Sequence, residues 1–283
     1  MPQSGGTLYL VATPIGNLED ITLRALRILK EVALIAAEDT RRTAKLLTHY
    51  DIHTTSTSFH VRNEAAKGAR LLARLAAGES VALVSDAGTP LLSDPGARLV
   101  RDALAAGVTV QAVPGASAVL AALVMSGFGG DFTFAGFPPP RSRGRRRWLE
   151  RLAAEPRTIV MFEAPHRIKA TFADMASVLA GRRVAVCREI TKAHEDFVFG
   201  PIPEVAARLG DPRGEYTVIL EAPVETDRAP AIDAPGQLLW LEFCHMTDAL
   251  KMERREAIRN LAAKHRMSSR AVYSCIEERK GAD

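Results

Sequence analysis

The stretch SDAGTPLLSDPG, Ser85 to Gly96, decides how the chain is read. It follows the short apolar run VALV, Val81–Val84, and leads into a helix-like run, Ala97–Ala106. A strand that ends in a loop rich in Gly, Pro, Ser and Asp, and then opens a helix, describes the ligand-facing end of an open α/β sheet. Gly88 and Gly96 allow backbone conformations that other residues avoid, and Pro90 and Pro95 stiffen the loop. Asp86, Ser93 and Asp94 add polar side chains beside exposed backbone groups. The spacing is neither GxGxxG nor GxxxxGK[ST]. By itself the loop reads either as a holder of a small polar ligand or as an ordinary turn-rich connection.

Outward from this loop the pattern recurs. Thr109–Val113 reads as a strand, and PGASA, Pro114–Ala118, opens a small-residue helix over Ala116–Met125. Near the start, the strand Leu8–Ala12 leads into TPIGNLED, Thr13–Asp20, and a helix over Thr22–Lys30. The strand Val32–Ala37 ends in EDTRR, Glu38–Arg42, with a helix over Thr40–Thr48. A further helix, Asn63–Ala77, precedes Val81–Val84. This alternation predicts a mostly parallel sheet covered on both faces. The carboxyl ends of such strands lie on one side, where ligands bind. Four polar or Gly/Pro strand ends together therefore outweigh any one of them.

A linker is expected over SGFGGDF, Ser126–Phe132. The next region opens with Phe132–Phe137 and the basic run RSRGRRR, Arg141–Arg147, expected to be a mobile loop. A helix over Trp148–Ala154, a buried-type strand Thr158–Phe162 and an amphipathic helix Arg167–Leu179 follow. Then come a strand Val184–Arg188, a hairpin-like segment Glu195–Gly200, a short helix Val205–Leu209 and a last strand Tyr216–Glu221. The expected organisation is an α/β domain over 1–125, a second over 126–222, a Pro/Ala/Asp-rich linker over 223–235 and a helical tail over 236–283. In the tail, Ile258, Leu261 and Ala262 share one helix face, Val272 and Ile276 the next, and Ser268 or Ser269 supplies an N-cap. Two short helices around a tight turn fit a helix-turn-helix. It reads either as a nucleic-acid contact or as a helical hairpin packed on the body. The apolar LLWLEFCH, Leu238–His245, is expected to pack on the body or on a partner subunit.

Six blocks occur in order: VATPIGNLEDIT, AAEDTRRT, SDAGTPLLSDPG, VPGASA, FEAPHRI and CREITKAHE. From Leu8 to about Leu220 they resemble the ribosomal RNA small-subunit methyltransferase I family, of the tetrapyrrole-methylase-like superfamily. The resemblance implies two α/β domains of the tetrapyrrole-methylase type with S-adenosylmethionine in the cleft between them. It also implies a homodimer, and methyl transfer to a cytidine ribose 2′-hydroxyl of the small ribosomal subunit.

Composition bounds the rest. A chain of 283 residues with 47% hydrophobic content supports two cores and an appendage. No charge-free apolar run reaches membrane-spanning length, and the N-terminal MPQSGGTLYL lacks the basic and apolar regions of a secretory signal. Cys187, Cys244 and Cys275 are unpatterned, so neither a disulfide framework nor a zinc site is expected. The expected location is the cytoplasm. Net charge is +4, but its distribution says more: five arginines lie in Arg141–Arg147, and Ala249–Lys280 holds nine Lys/Arg against four Glu. Such runs suit a polyanion, with a solvated charged surface as the plainer reading.

Methyl transfer from a sulfonium requires the attacking oxygen about 3 to 3.5 Å from the methyl carbon and a group to take its proton. The candidates for the donor site are Pro14, Ser85, Asp86, Gly88, Leu91, Ser93, Asp94, Ala116 and Ser117. Ala116 and Ser117 lie at a helix N-terminus. Phe162 resembles a family position lining the adenine slot, and reads equally as a core aromatic. For the proton, Lys192 with a lowered pKa is favoured, together with Glu195 or Glu189, and Asp39 follows. Arg41, Arg42, His166, Arg167 and the five arginines Arg141, Arg143, Arg145, Arg146 and Arg147 are candidate RNA contacts, and so are the polar residues His60, Arg62 and Asn63 after the run Thr54–Phe59. No metal site is expected, since one histidine and one carboxylate in FEAPHRI do not make one. Two alternatives stay open: a methylase of a tetrapyrrole or other small substrate, and a nonenzymatic RNA-binding protein. Titration with S-adenosylmethionine separates the last from the others, and methylation of small ribosomal subunits separates the first two.

Overall fold

The computed structural model describes residues 5–179, 181–223, 236–249, 252–265 and 267–280. Two compact units partition the chain, Met1–Pro223 and Val224–Asp283. The expected linker falls, beyond Pro223, outside the described residues.

The first half of the larger unit runs β1 (Thr7–Val11), α1 (Leu23–Glu31), β2 (Leu34–Ala37), α2 (Thr40–His49), β3 (Ser56–Ser58), α3 (Glu64–Ala76), β4 (Val81–Val84), α4 (Ala97–Ala105) and β5 (Thr109–Val113). Its five strands form a sheet in the order β3-β2-β4-β1-β5, parallel throughout. Side chains alternate across a strand, and both faces are covered. Ile35, Ala37, Ala82 and Val84 pack on one side with Ala25, Ile28 and Leu29 of α1. Leu34, Ala36, Val81 and Leu83 pack on the other with Leu71, Leu75 and Leu99. The buried triad Ala25, Ile28, Leu29 follows from helical spacing, and Thr22 caps the helix by accepting from the Ala25 amide at 3.1 Å. The edge strand β3 was not among the expected strands. Its sequence STS has no apolar signal, and pairing with β2 alone makes it a strand.

The second half runs α5 (Ala118–Ser126), β6 (Phe132–Phe134), α6 (Ser142–Ala153), β7 (Thr158–Glu163), α7 (Pro165–Val178), β8 (Arg183–Arg188), β9 (Asp196–Pro201), α8 (Ile202–Arg208) and β10 (Tyr216–Leu220). The sheet order is β6-β7-β10-β8-β9. The β6–β7 pair is parallel and the other pairs are antiparallel. Ile159, Met161, Val184, Val186, Val218 and Leu220 face one core with Ile168 and Phe172 of α7. Val160, Ala185, Cys187 and Ile219 face the other, where they meet Val119 and Ala122 of α5. The helix after β5 thus packs on the second sheet, although sequence reading grouped it with the first. Cys187 is buried there, and burial, then the Glu195 charge, pushes its thiol up to about 12, so it is a small core residue.

The basic run is corrected from a loop to a helix, because α6 begins at Ser142 and takes in Arg143 to Arg147. Arg145, 5% exposed, donates to Asp174 of α7 and to the carbonyls of Pro140 and Ala170. Arg146 pairs with the other oxygen of Asp174 at 2.7 Å. A charge placed in the interior is tolerated only when paired, and these two arginines serve that end.

The smaller unit contains α9 (Gly236–Cys244), a π-turn over His245–Ala249, α10 (Arg254–Lys264) and α11 (Ser269–Lys280). Its own core joins Leu239, Phe243, Ala257, Leu261, Ala262, Val272 and Ile276. The apolar stretch expected to pack elsewhere therefore finds cover, at Leu239 and Phe243, inside this unit. The hydroxyl of Ser268 accepts from the Ala271 amide at 3.2 Å, the cap expected for the second helix of the pair.

Candidate active site

The carboxyl ends of β1 and β4 are sewn together. The Thr13 amide donates to the Gly88 carbonyl at 2.9 Å, and the Gly88 amide returns the bond at 3.0 Å. Gly88 has φ +77, and a Cβ there would lie 3.2 Å from the Ile15 side chain. The loop also holds Leu91 at φ 73 and Ser93 at φ 76. Such backbone strain in a loop at strand ends accompanies function more often than chance.

Between the two sheets lies a cleft of about 340 Å³. From the first half it is lined by Ile15, the loop Ala87–Thr89, Leu92–Asp94 and Ser117. From the second come Phe137, Phe162, Glu163–Pro165 and Glu215–Thr217. Phe162 meets Phe134 edge-on at 5.1 Å and Phe137 at 5.5 Å, making an aromatic shelf. Ser117 caps α5, accepting from the Leu120 amide at 3.4 Å. Size, aromatic shelf and turned-out backbone match the class of cleft that takes a small organic ligand.

Asp94 lines the cleft with a carboxyl in an unusual setting. Burial, then the Glu38 and Asp86 charges, raises its carboxyl to about 6 against the pull of the Ser85 hydroxyl. Glu38 itself is raised, by burial first and then by Asp86. Asp86 accepts from the Asp39 amide at 2.8 Å and lies 3.5 Å from Arg42.

The family model of the tetrapyrrole (corrin/porphyrin) methylases matches residues 7–206. A ribosomal RNA small subunit methyltransferase I of Halalkalibacterium halodurans is 42% identical over 281 residues, covering 96% of this chain and 95% of that protein. The chain belongs to this family of methyltransferases. The protein of the same name from Pseudomonas aeruginosa is 49% identical over 223 residues, 77% of this chain and 79% of its own. Among solved structures, uroporphyrin-III C-methyl transferase of Thermus thermophilus, complexed with S-adenyl homocysteine, shares the fold. It has a TM-score of 0.55 at 21% identity and covers 76% of this chain and 97% of its own. Diphthine synthase shares it too, with a TM-score of 0.61 at 15% identity, covering 76% and 90%.

Of the donor-site residues expected from sequence, Gly88, Ser93, Asp94, Ser117 and Phe162 line the cleft. Pro14, Ser85, Asp86, Leu91 and Ala116 are not among the lining residues. Ser85 is buried and its hydroxyl turns to the Ala87 carbonyl at 3.3 Å, while the Ala116 carbonyl accepts from Thr89 at 3.2 Å. Tyr216 and Thr217 had no signal, because YTVIL reads as plain core strand, and Glu215 just precedes it. The antiparallel register sets Tyr216 opposite Glu163 and Thr217 opposite Phe162, and so brings them to the cleft.

The candidates for proton transfer have other partners. Lys192 contacts Glu189 at 2.8 Å and Glu215 at 3.0 Å. Burial would lower its pKa, but those two carboxylates outweigh it and raise the ammonium above its usual range. That is the reverse of the depressed lysine expected. Glu189 also accepts from the Glu215 amide at 2.9 Å, and Glu195 accepts from the Thr191 amide at 2.5 Å. This turn, with Glu189 at φ 52 and Thr191 at φ 67, sits on the β1 loop. A Cβ at Gly16 would fall 2.4 Å from the Lys192 side chain, so only glycine permits the approach. Asp39 caps α2, accepting from the Arg41 amide at 2.9 Å. Hydrogen bonds from Arg41 hold its carboxyl far below the usual range.

The RNA candidates divide similarly. Arg41 is 88% exposed and paired with Asp39, whereas Arg42 turns to Asp86. His166 is exposed on the first turn of α7. Arg167 donates to buried Glu163 at 2.7 Å and to the Pro138 carbonyl at 2.8 Å, tying α7 to the loop before α6. Asn63 bonds within its own turn, to Ser58 and the His60 amide. Among the described residues no group of His, Cys, Asp or Glu could hold a metal ion, and no helix is long and apolar enough to cross a membrane.

Proposed function

We propose that this chain methylates a cytidine ribose 2′-hydroxyl of small-subunit ribosomal RNA, with S-adenosylmethionine as donor. Membership of a family whose relatives carry that rRNA methyltransferase name supports the substrate class. The observation that carries the chemistry is the cleft itself, which a half-buried carboxylate, Asp94, lines together with Gly88 and the shelf of Phe162 and Phe137.

The residues present suit the donor. The Gly88–Asp94 backbone offers hydrogen-bonding groups to its amino-acid end, and Phe162 and Phe137 offer an apolar face to its adenine. When bound, the donor supplies an activated methyl on a positively charged sulfur. Asp94 is the proposed proton acceptor. The ribose oxygen gains the methyl as the carbon–sulfur bond breaks, and its proton passes to the Asp94 carboxylate. An acceptor with pKa near 6 is ionised at neutral pH yet more basic than an ordinary aspartate. Lys192, held charged by Glu189 and Glu215, is assigned instead to positioning: it locks the second-half turn over Gly16 beside the cleft.

The remaining parts of the reading are a cytoplasmic location, contact with RNA, and a homodimer. Leu120 and Val124, one turn apart on α5 and 53% and 81% exposed, offer an apolar face to a second copy. Light scattering at micromolar concentration checks the dimer.

The deciding experiment incubates the chain with labelled S-adenosylmethionine and small ribosomal subunits, then maps the labelled nucleotide by nuclease digestion. Label in one cytidine nucleotide, resistant to alkaline cleavage of its 3′ phosphodiester, is expected. Label confined to a tetrapyrrole offered in parallel would transfer the assignment to a small-substrate methylase.

A further inference from the structure

The run RSRGRRR divides by partner. Arg145 and Arg146 are committed to Asp174. Arg141, Arg143 and Arg147 are exposed, and none has an ion pair or side-chain hydrogen bond among the described residues. With Pro139, Pro140 and Gly144 these three line a second concavity, an open one of about 510 Å³. Arg143 and Arg147 lie one helical turn apart and share a face. Gly144, between them, has no side chain to fill the hollow, and a Cβ there would lie 3.4 Å from the Pro139 side chain. The prolines before the helix restrict the backbone of the rim. Three guanidinium groups around one hollow repel one another, and the carboxylate that pairs with this helix, Asp174, is already shared by two other arginines. An anion with several acceptor oxygens relieves that repulsion, and guanidinium groups pair with phosphate in a two-pronged geometry.

We infer that Arg141, Arg143 and Arg147 form a phosphate-binding subsite that grips the backbone of the RNA substrate outside the methyl-transfer cleft. The inference rests on the RNA reading above and refines the sequence expectation from five phosphate-contacting arginines to three. Arg145 and Arg146 build the platform; the other three meet the ligand.

The test uses the full chain and a fluorescein-labelled single-stranded RNA of mixed sequence, with binding measured across a salt series. Each phosphate contact on a single strand contributes a slope of about 0.7 in log–log terms. Replacing Arg141, Arg143 and Arg147 together by Ala is expected to reduce the slope by about 2. The same three positions changed to Lys should keep most of the slope while weakening binding, because charge persists without the two-pronged fit. A control removing equal charge elsewhere, Lys30→Ala with Arg70→Ala and Arg101→Ala, should leave the slope unchanged. Affinity for S-adenosylmethionine, read by calorimetry, should stay the same in every variant and reports that the fold is intact. An unchanged slope in the triple Ala variant, or an equal loss in the control, overturns the subsite. These binding readouts stand apart from methylation of subunits by the unaltered chain, whose absence would instead overturn the methyl-transfer reading.

Discussion

At the scale of single residues, the informative contrast is between Asp94 and Lys192. Both are polar groups in loops at strand ends, and sequence reading favoured the lysine as proton acceptor. Two carboxylates around Lys192 stabilise its charged form, which has no free pair to take a proton, whereas burial and two neighbouring carboxylates make Asp94 more basic than an ordinary aspartate while leaving it ionised at neutral pH. Asp94→Asn is expected to lower kcat by about 10² to 10⁴, the usual contribution of a positioned general base, with little change in donor affinity. The sign of the pH dependence follows from the raised pKa. Below about 6 the carboxyl is protonated and cannot accept, so kcat/KM should fall about tenfold per pH unit there and level off above neutrality. In Lys192→Ala this acid limb should persist. A profile that loses its limb in Lys192→Ala and keeps it in Asp94→Asn would return the role to the lysine.

At the scale of elements, α6 shows how one helix serves two purposes. One side, through Arg145 and Arg146, is bound to Asp174 of α7; burial alone would push that carboxyl up, but both arginines and Ser142 draw it below its usual range. Asp174→Ala leaves the Arg145 charge buried without its partner. The expected loss is about 3 to 5 kcal/mol, measured by chemical denaturation of the full chain. Exchanging Arg145 and Asp174 together for Met and Leu should recover most of it, since the cost lies in the unpaired charge and not in the missing bridge. A single Asp174→Ala variant as stable as the parent would show that α6 and α7 are held by apolar packing, such as that of Leu149 and Phe172.

At the scale of the molecule, each unit has its own core, and every cleft residue lies before Pro223. A chain ending at Pro223 is therefore expected to melt cooperatively and to bind S-adenosylmethionine as tightly as the full chain, by circular dichroism and calorimetry. Loss of cooperative melting would show that the larger unit depends on residues after it. Apart from β3, the parallel first sheet was legible in the sequence because its other strands are apolar runs set between amphipathic helices, and those signals are local. The loop Ser85–Gly96 was legible because glycine and proline mark backbone geometry by themselves, and the six ordered blocks carried the family. Partnership was not legible. Arg141 and Arg145 are the same residue type four positions apart, yet one is exposed and the other is buried on Asp174, 29 positions along the chain. Tyr216 and Thr217 reach the cleft through antiparallel register, and Lys192 is held charged by Glu189 and by a second carboxylate, Glu215, 23 positions away. Local propensity and periodicity set which elements form; charge state, pairing and access depend on distances between residues remote in sequence, and those exist only once the sheets have assembled.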